Sequence, residues 1–231
     1  MSHRTSCALR LVQIGSPRPL APEGPMSAIH KFPVDGPVRV GYEGLEGDAQ
    51  GDRRVHGGPE KAVHQYALRH YGAWAARFPQ AAAELQRGSF GENLSTDVHD
   101  ETTVCIGDRY QVGSVLLEVS QPRRPCWKLD VRFTVDGLAQ AVQESGWSGW
   151  YYRVLQTGAL QVGDNLELVW RAPATVSLAE FWRSYHSPEP DLKELEHLQN
   201  LPGLSAGWRQ KIAARRTGLP LDDDPARLRR G

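Results

Sequence analysis

The sequence predicts a mainly β protein with a few helices: a β-barrel of short strands followed by a small bundle of three helices. Three observations lead there. Twenty-three Gly and 16 Pro punctuate the 231-residue chain, most densely in its first three-quarters. The runs between them are short and mostly alternate, with helical spacing in only one or two. After Pro173, three capped amphipathic segments follow one another.

Taken in order, residues 7–14 alternate like a strand and lead into a Pro-rich loop over 15–25. Residues 27–32 and 38–42 are strand candidates on either side of the Asp35-Gly36-Pro37 turn. Residues 41–58 are rich in Gly and charge and read as loop. A helix is expected from near Gln65 through Tyr71 and Trp74 to Pro79, with a short turn over 81–86. Residues 104–106, 110–112 and 115–121 read as strands separated by Gly107-Asp108 and Gly113-Ser114. Residues 137–145 suit a short helix, and 151–155 and 165–170 read as closing strands.

Beyond Pro173, Ser177-Leu178-Ala179-Glu180 has the form of a capping box, in which the hydroxyl and Glu180 satisfy each other's backbone amides. Phe181, Trp182 and Tyr185 give the first helix its apolar face. Asp191 opens a second helix with Leu192, Leu195 and Leu198. Ser205 opens a third with Trp208 and Ile212, stopped by Gly218. The expected organisation is a β-barrel domain over 1–172, a three-helix domain over 173–220 and a fraying tail over 221–231.

Lys and Arg number 27, as do Asp and Glu, so the formal net charge is zero. Global charge gives no case for a nucleic-acid or membrane-surface partner. Arg209, Lys211, Arg215 and Arg216 would suit a nucleic-acid helix but read more simply as a solvated face. No leader or spanning segment is evident, and three widely spaced cysteines argue for reduced thiols and a cytoplasmic protein.

The most informative segment is Ser120-Gln121-Pro122-Arg123-Arg124-Pro125-Cys126-Trp127-Lys128-Leu129. Two prolines stiffen a strand exit, and Cys126 follows the second of them between Arg123, Arg124 and Lys128. Nearby cations favour a thiolate, which is both the nucleophile and the soft metal ligand. Cys7 and Cys105 sit in apolar patterns and read as small core hydrophobes.

Four further segments carry candidate groups. Gly44-Leu45-Glu46-Gly47-Asp48 and His56-Gly57-Gly58-Pro59-Glu60-Lys61 offer backbone amides for an anion, with Lys61 as a point charge. Asp48, Asp52 and His56 as a divalent-metal set find no supporting spacing. Phe90-Gly91-Glu92-Asn93-Leu94 offers Glu92 and Asn93 after a tight Gly91. Gly149-Trp150-Tyr151-Tyr152-Arg153 offers aromatics to stack on a heterocycle and Arg153 for an anion. His64 and His70 read as surface or packing residues. A serine hydrolase is disfavoured, because no G-x-S-x-G elbow accompanies His56-Gly57-Gly58.

Together these segments resemble the MOSC domain, the C-terminal part of molybdenum-cofactor sulfurases, and within it the YiiM-type subgroup that confers resistance to 6-hydroxylaminopurine. The resemblance runs through the Gly44–Asp48, His56-Gly57-Gly58, Phe90–Leu94, Gly107-Asp108 and Pro122–Leu129 segments, and the subgroup's helical extension resembles residues 173–218. It implies a β-barrel like that inserted in pyruvate kinase, a molybdenum cofactor (Mo-molybdopterin), and detoxifying reduction of N-hydroxylated compounds. Cys126 aligns with the family's metal-ligand cysteine. In that frame Arg123, Arg124, Lys128, Lys61 or Arg153 meets the pterin phosphate, and Gly57, Gly58, Gly91 and Asn93 hold its edge. His56 or Glu92 then relays a proton. No flavin or nucleotide pattern and too few thiols for an iron–sulfur cluster imply a separate electron-donating reductase. The aromatic helices are candidates for contact with that reductase or for a homodimer. The alternative is a sulfur or cofactor carrier using a Cys126 persulfide.

Overall fold

In this computed structural model, residues 6–20, 24–49, 57–219, 221 and 225–228 are described. The chain order of strands is β1 (Ser6–Ala8), β2 (Leu11–Ile14), β3 (Arg18–Pro19), β4 (Met26–Ser27), β5 (Phe32–Pro33), β6 (Val38–Gly41), β7 (Gly44–Leu45), β8 (Val63–Ala67), β9 (Leu94–Thr96), β10 (Arg109–Val112), β11 (Val115–Pro122), β12 (Trp150–Gln156), β13 (Gly158–Leu160) and β14 (Asn165–Trp170). The helices are α1 (His70–Arg77), α2 (Lys128–Phe133), α3 (Leu138–Ser145), α4 (Leu178–His186), α5 (Leu192–Gln199), α6 (Ala206–Arg216) and α7 (Pro225–Leu228).

The expected class holds: a sheet-dominated core with helices, then a three-helix segment. Nine strands make one sheet in the order β1-β14-β10-β11-β12-β8-β9-β2-β5. The pairing among the described residues is an open ladder from β1 to β5, not a ring closed by hydrogen bonds. All its pairs are antiparallel except β8 with β9, which α1 and the following turns connect as a crossover.

Several elements differ from expectation. The helix expected from Gln65 begins at His70, because residues 63–67 form the fully buried strand β8 between β12 and β9. His64 and Gln65 give that strand an amphipathic look, yet both are buried. Gln65 Oε1 accepts from Tyr152 Oη at 2.8 Å and Gln65 Nε2 donates to Thr96 Oγ1 at 3.3 Å. Residues 104–106 make no ladder, only the isolated bridge of Cys105 to Ser177. The strand expected over 7–14 is two strands, and the one expected over 27–32 keeps only its ends, in β4 and β5.

The helical segment forms as its caps dictate. Ser177 accepts from the Glu180 amide at 3.1 Å while Glu180 accepts from the Ser177 amide at 2.9 Å. Asp191 and Ser205 cap α5 and α6. Its apolar face does not make a core of its own. Phe181, Trp182, Tyr185, Leu195, Trp208 and Ile212 belong to the same buried cluster as Val104, Leu117, Val119 and Tyr152 of the sheet. The two parts touch at backbone level: a Cβ on Gly107 would lie 2.4 Å from Pro202 O, and one on Gly203 would lie 2.6 Å from Gly107 Cα. Both positions have positive φ, so glycine meets a conformational and a steric demand at once.

A second cluster lies beside it. Tyr71 and Trp74 of α1, Phe90, Leu129 and Phe133 of α2, and Leu138 and Val142 of α3 pack together. This cluster anchors the helix that follows Cys126. The tail expected to fray from 221 does not do so throughout: Leu221 packs on the first cluster and Leu228 on the second.

Acid sensitivity follows from one buried ring. His99 is 2% exposed, and burial, reinforced by Arg171 and opposed by Asp100, holds its pKa down at about 4. Above the ordinary histidine value of 6.5 both folded and unfolded states are neutral, so nothing changes. Between 6.5 and about 4 the unfolded chain takes up a proton that the folded one refuses, so stability falls as pH falls. The expected loss is about 3 kcal/mol across that window. Urea unfolding of wild type and His99→Gln at pH 7.5 and 4.5 checks it; the variant should show a smaller difference between the two.

Candidate functional site

β11 carries the chain from the middle of the large sheet to the Cys126 loop. Its pairing with β12 is irregular between Val119 and Gln121. There Ser120 Oγ donates to Glu60 O at 2.6 Å and is 3.0 Å from Tyr151 O. The loop continues the ladder for one step: Arg123 N donates to Gly149 O at 2.9 Å, and Ser148 Oγ donates to Arg123 O at 2.6 Å. Pro125 and Cys126 follow, and α2 begins at Lys128. Cys126 is therefore held between a strand end and a helix anchored by Leu129 and Phe133, both buried.

Cys126 is half-buried and lines two cavities. The inner one, about 90 Å³, is bounded by Lys31, Asp48, His64, Gly91, Asn93 and Arg123. The outer one, about 640 Å³, lies between the sheet and α6, with Gly57, Trp127, Trp208 and Lys211 in its wall. Its volume falls in the range of small-molecule sites, roughly 300–1,000 Å³. Lys61, Arg124, Cys126, Lys128 and Tyr151 border both.

The inner wall is built on a buried ion pair. Lys31 Nζ lies 2.6 and 2.5 Å from the two carboxylate oxygens of Asp48. Asp48 also accepts from the Gly15 amide at 2.8 Å and from Asn93 Nδ2 at 2.9 Å. Burial pushes the Lys31 pKa down, while Asp48 opposes it. Asn93 in turn accepts from the His64 amide and donates to Gln13 O.

Two buried nitrogens here lack a protein partner: Arg123 Nη1 and His64 Nε2. Arg123 is 7% exposed and His64 4%. Burial, with Arg123 nearby, holds the His64 pKa well below the usual range, so its ring is neutral. Burial raises the Tyr151 pKa, and Arg123 opposes the rise. The Lys61 pKa is lowered by burial and then by Arg124 and Lys211, which reports like charges gathered at the border of the two cavities.

Of the residues singled out in the sequence, Cys126, Lys61, Gly91, Asn93, Arg123, Arg124 and Lys128 come together around the inner cavity. Gly57 reaches only the outer one, and Gly58 caps the short turn Pro59–Lys61 without lining either. The remaining candidates need correction. Arg153 is held by Glu60 at 2.7 and 3.1 Å and by Glu118 at 2.5 Å, and borders neither cavity. Glu92 is fully buried beneath the site, accepting from Tyr71 Oη at 2.6 Å and the Gly88 amide at 2.8 Å. Burial raises its pKa, but it borders neither cavity and has no path to a substrate there. The Asn93 amide already donates to His64 O and is not available to a ligand edge.

His56 lies outside the described residues, as does Asp52. Asp48 is committed to Lys31, and no cluster of three or more His, Cys, Asp or Glu with metal-binding geometry exists among the described residues. Lys31 and His64 are the functional groups that sequence reasoning missed. His64 had a signal, a histidine beside the His-Gly-Gly segment; Lys31 had none. Cys105 is buried with its pKa raised to about 11, and burial raises Cys7 as well, so neither is poised as a thiolate; neither lines the two cavities. No helix among the described residues is long and apolar enough to cross a membrane.

Comparison with known proteins identifies the family. The MOSC domain family matches residues 52–167, and the YiiM-like three-helix domain family matches residues 176–218. The chain is 39% identical to protein YiiM of Escherichia coli K12 over 207 residues, covering 90% of this chain and 92% of that protein. It is 40% identical over 177 residues to a Gibberella moniliformis protein named Reductase, covering 76% of this chain and 31% of that protein. The crystal structure of YiiM from Escherichia coli superposes with a TM-score of 0.80 at 33% identity, covering 96% of this chain and 98% of that one. The YiiM structure from Geobacillus stearothermophilus gives 0.77 at 31% identity, covering 92% of this chain and 100% of that one. The chain belongs to the MOSC domain family, in its YiiM-like branch with the C-terminal three-helix domain.

Proposed function

We propose that this protein is a molybdenum-cofactor-dependent reductase of N-hydroxylated compounds, such as hydroxylaminopurines, with Cys126 as the protein ligand to the metal. One observation carries the reading: a half-buried thiol stands between two cavities, beside a buried guanidinium whose Nη1 has no protein partner. An orphaned buried donor is costly unless a ligand satisfies it. A soft sulfur, the open Nη1 of Arg123 and the flanking cations Lys61, Arg124 and Lys128 suit a phosphorylated, metal-bearing pterin.

The cofactor, when bound, supplies two-electron oxygen-atom-transfer chemistry. The protein supplies the rest. The Cys126 sulfur, on a loop stiffened by Pro122 and Pro125, would hold the metal. Arg123 donates from the inner wall to an anionic group, and Lys31–Asp48 braces that wall from behind. His64, kept neutral, offers a hydrogen bond without adding charge. The outer cavity admits the substrate, whose N–OH becomes N–H plus water as two electrons and two protons are delivered. Electrons come from a separate reductase. The Gibberella moniliformis protein that this chain resembles is named Reductase. The three free thiols suit a reducing, cytoplasmic setting.

Elemental analysis of protein from a cofactor-competent host tests the reading. Molybdenum near one atom per chain, with turnover of 6-hydroxylaminopurine under a chemical reductant, is expected. A persulfide on Cys126 without molybdenum would replace it with the sulfur-carrier reading.

A further inference from the structure

Arg227 lies 102 residues from Pro125, yet it grips the cysteine loop on both sides. Its guanidinium Nη1 donates to the Pro125 carbonyl, and its own carbonyl accepts from the Trp127 amide at 2.7 Å. These two groups flank Cys126 in sequence. A third bond, Nη2 to Gln143 Oε1 at 3.1 Å, ties the same guanidinium to α3. Leu221 and Leu228, on either side of Arg227, pack on separate apolar clusters and pin the turn in place. Arg227 also lines the outer cavity.

Within the loop, the Cys126 carbonyl accepts from the Leu129 amide at 3.0 Å, which ties it to the start of α2. Ladder pairing stops at Arg123, and α2 starts at Lys128. Pro125 has no amide to donate. The bonds that Arg227 makes to the two neighbours of Cys126 add a long-range restraint to these local ones.

We propose that the C-terminal turn is a strap, and that Arg227 is a positioning residue that holds Cys126 at the boundary of the two cavities. Its relevance to catalysis rests on the reductase reading above, but its physical content concerns the thiol and can be measured without metal. With Arg227 in place the Cys126 sulfur has one orientation and restricted access. Without the turn the loop opens, the Trp127 amide loses the Arg227 carbonyl as its acceptor, and the thiol reaches solvent more often.

The test uses the full chain in metal-free form, as wild type, Arg227→Ala, Arg227→Lys and a truncation ending at Leu221. Iodoacetamide labelling resolved by mass spectrometry reads the three cysteines separately. Hydrogen exchange reads the Trp127 amide. In the truncation, which removes the Arg227 carbonyl and guanidinium together, Cys126 labelling and Trp127 exchange should each rise about tenfold. In Arg227→Ala, which keeps the carbonyl, Cys126 labelling should rise by a smaller factor and Trp127 exchange by less still. Cys7 and Cys105 should label as in wild type, and Arg227→Lys should fall between wild type and Ala. Unchanged Cys126 labelling and Trp127 exchange in the truncation would overturn the strap. A uniform rise at all three cysteines would also overturn it, because the turn would then support the fold at large. Absence of molybdenum in wild type would sink the reductase reading and leave these thiol measurements intact.

Discussion

Replacing Cys126 with Ala is expected to abolish reduction of hydroxylaminopurine and to leave no molybdenum on the purified protein, while the fold survives. The side chain is half-buried at a cavity boundary, so its loss costs about 1 kcal/mol or less in stability. The functional loss is of another order, because neither other cysteine can take its place: Cys7 and Cys105 line neither cavity and have raised pKa values. Cys126→Ser separates ligand softness from shape. A hydroxyl occupies nearly the same volume but is a poor partner for the metal, so it should resemble Ala in metal content. Metal analysis, steady-state turnover and thermal melting on the same preparations give the answer. A Cys126→Ala protein with wild-type turnover would end the assignment of this sulfur.

Asp48→Ala should have the largest effect on stability. The Lys31 and Asp48 side chains are 7% and 3% exposed, so removing the carboxylate strands a buried ammonium. It also strips the acceptor from the Gly15 amide and from Asn93 Nδ2. Breaking a buried pair in this way costs roughly 3–5 kcal/mol. In a chain of this size that lowers the melting temperature by roughly 10 °C. Changing both partners, as Lys31→Met with Asp48→Leu, should recover part of the loss, since no uncompensated charge remains. The inner wall also holds Asn93 and the backbone of His64, so cofactor retention should fall with the single variant even below its melting point. Calorimetry of the single and double variants decides it; a single variant as stable as wild type would mean that the pair carries no structural weight.

The ease of reading each part followed how local its physics is. The strands near 110–121 and 165–170 were visible because glycine turns bracket short apolar runs. The helices after Pro173 were visible because each opens on a Ser or Asp whose side chain caps it. β8 was not, because its polar residues are satisfied by Thr96 and Tyr152, far along the chain. The same division holds at the site. Cys126, Arg123 and Arg124 announce themselves through adjacent prolines and charge. Lys31 needs Asp48 to be meaningful, and nothing in the loop between them reveals the pairing. Arg153 misled for the opposite reason: its charge is real, but Glu60 and Glu118 consume it. The grip of Arg227 on Pro125 spans nearly half the chain and has no local trace.

The merged apolar cluster of sheet and C-terminal helices changes how the two family matches should be understood. They are two separate family matches, but here they are not separate units of folding. Heat or denaturant should take them apart in one cooperative step. A fragment ending near Pro173 would bare the aromatic-facing side of the sheet and associate with itself. Exchanging this helical tail for another would succeed only where the incoming tail also brings a glycine to meet Gly107.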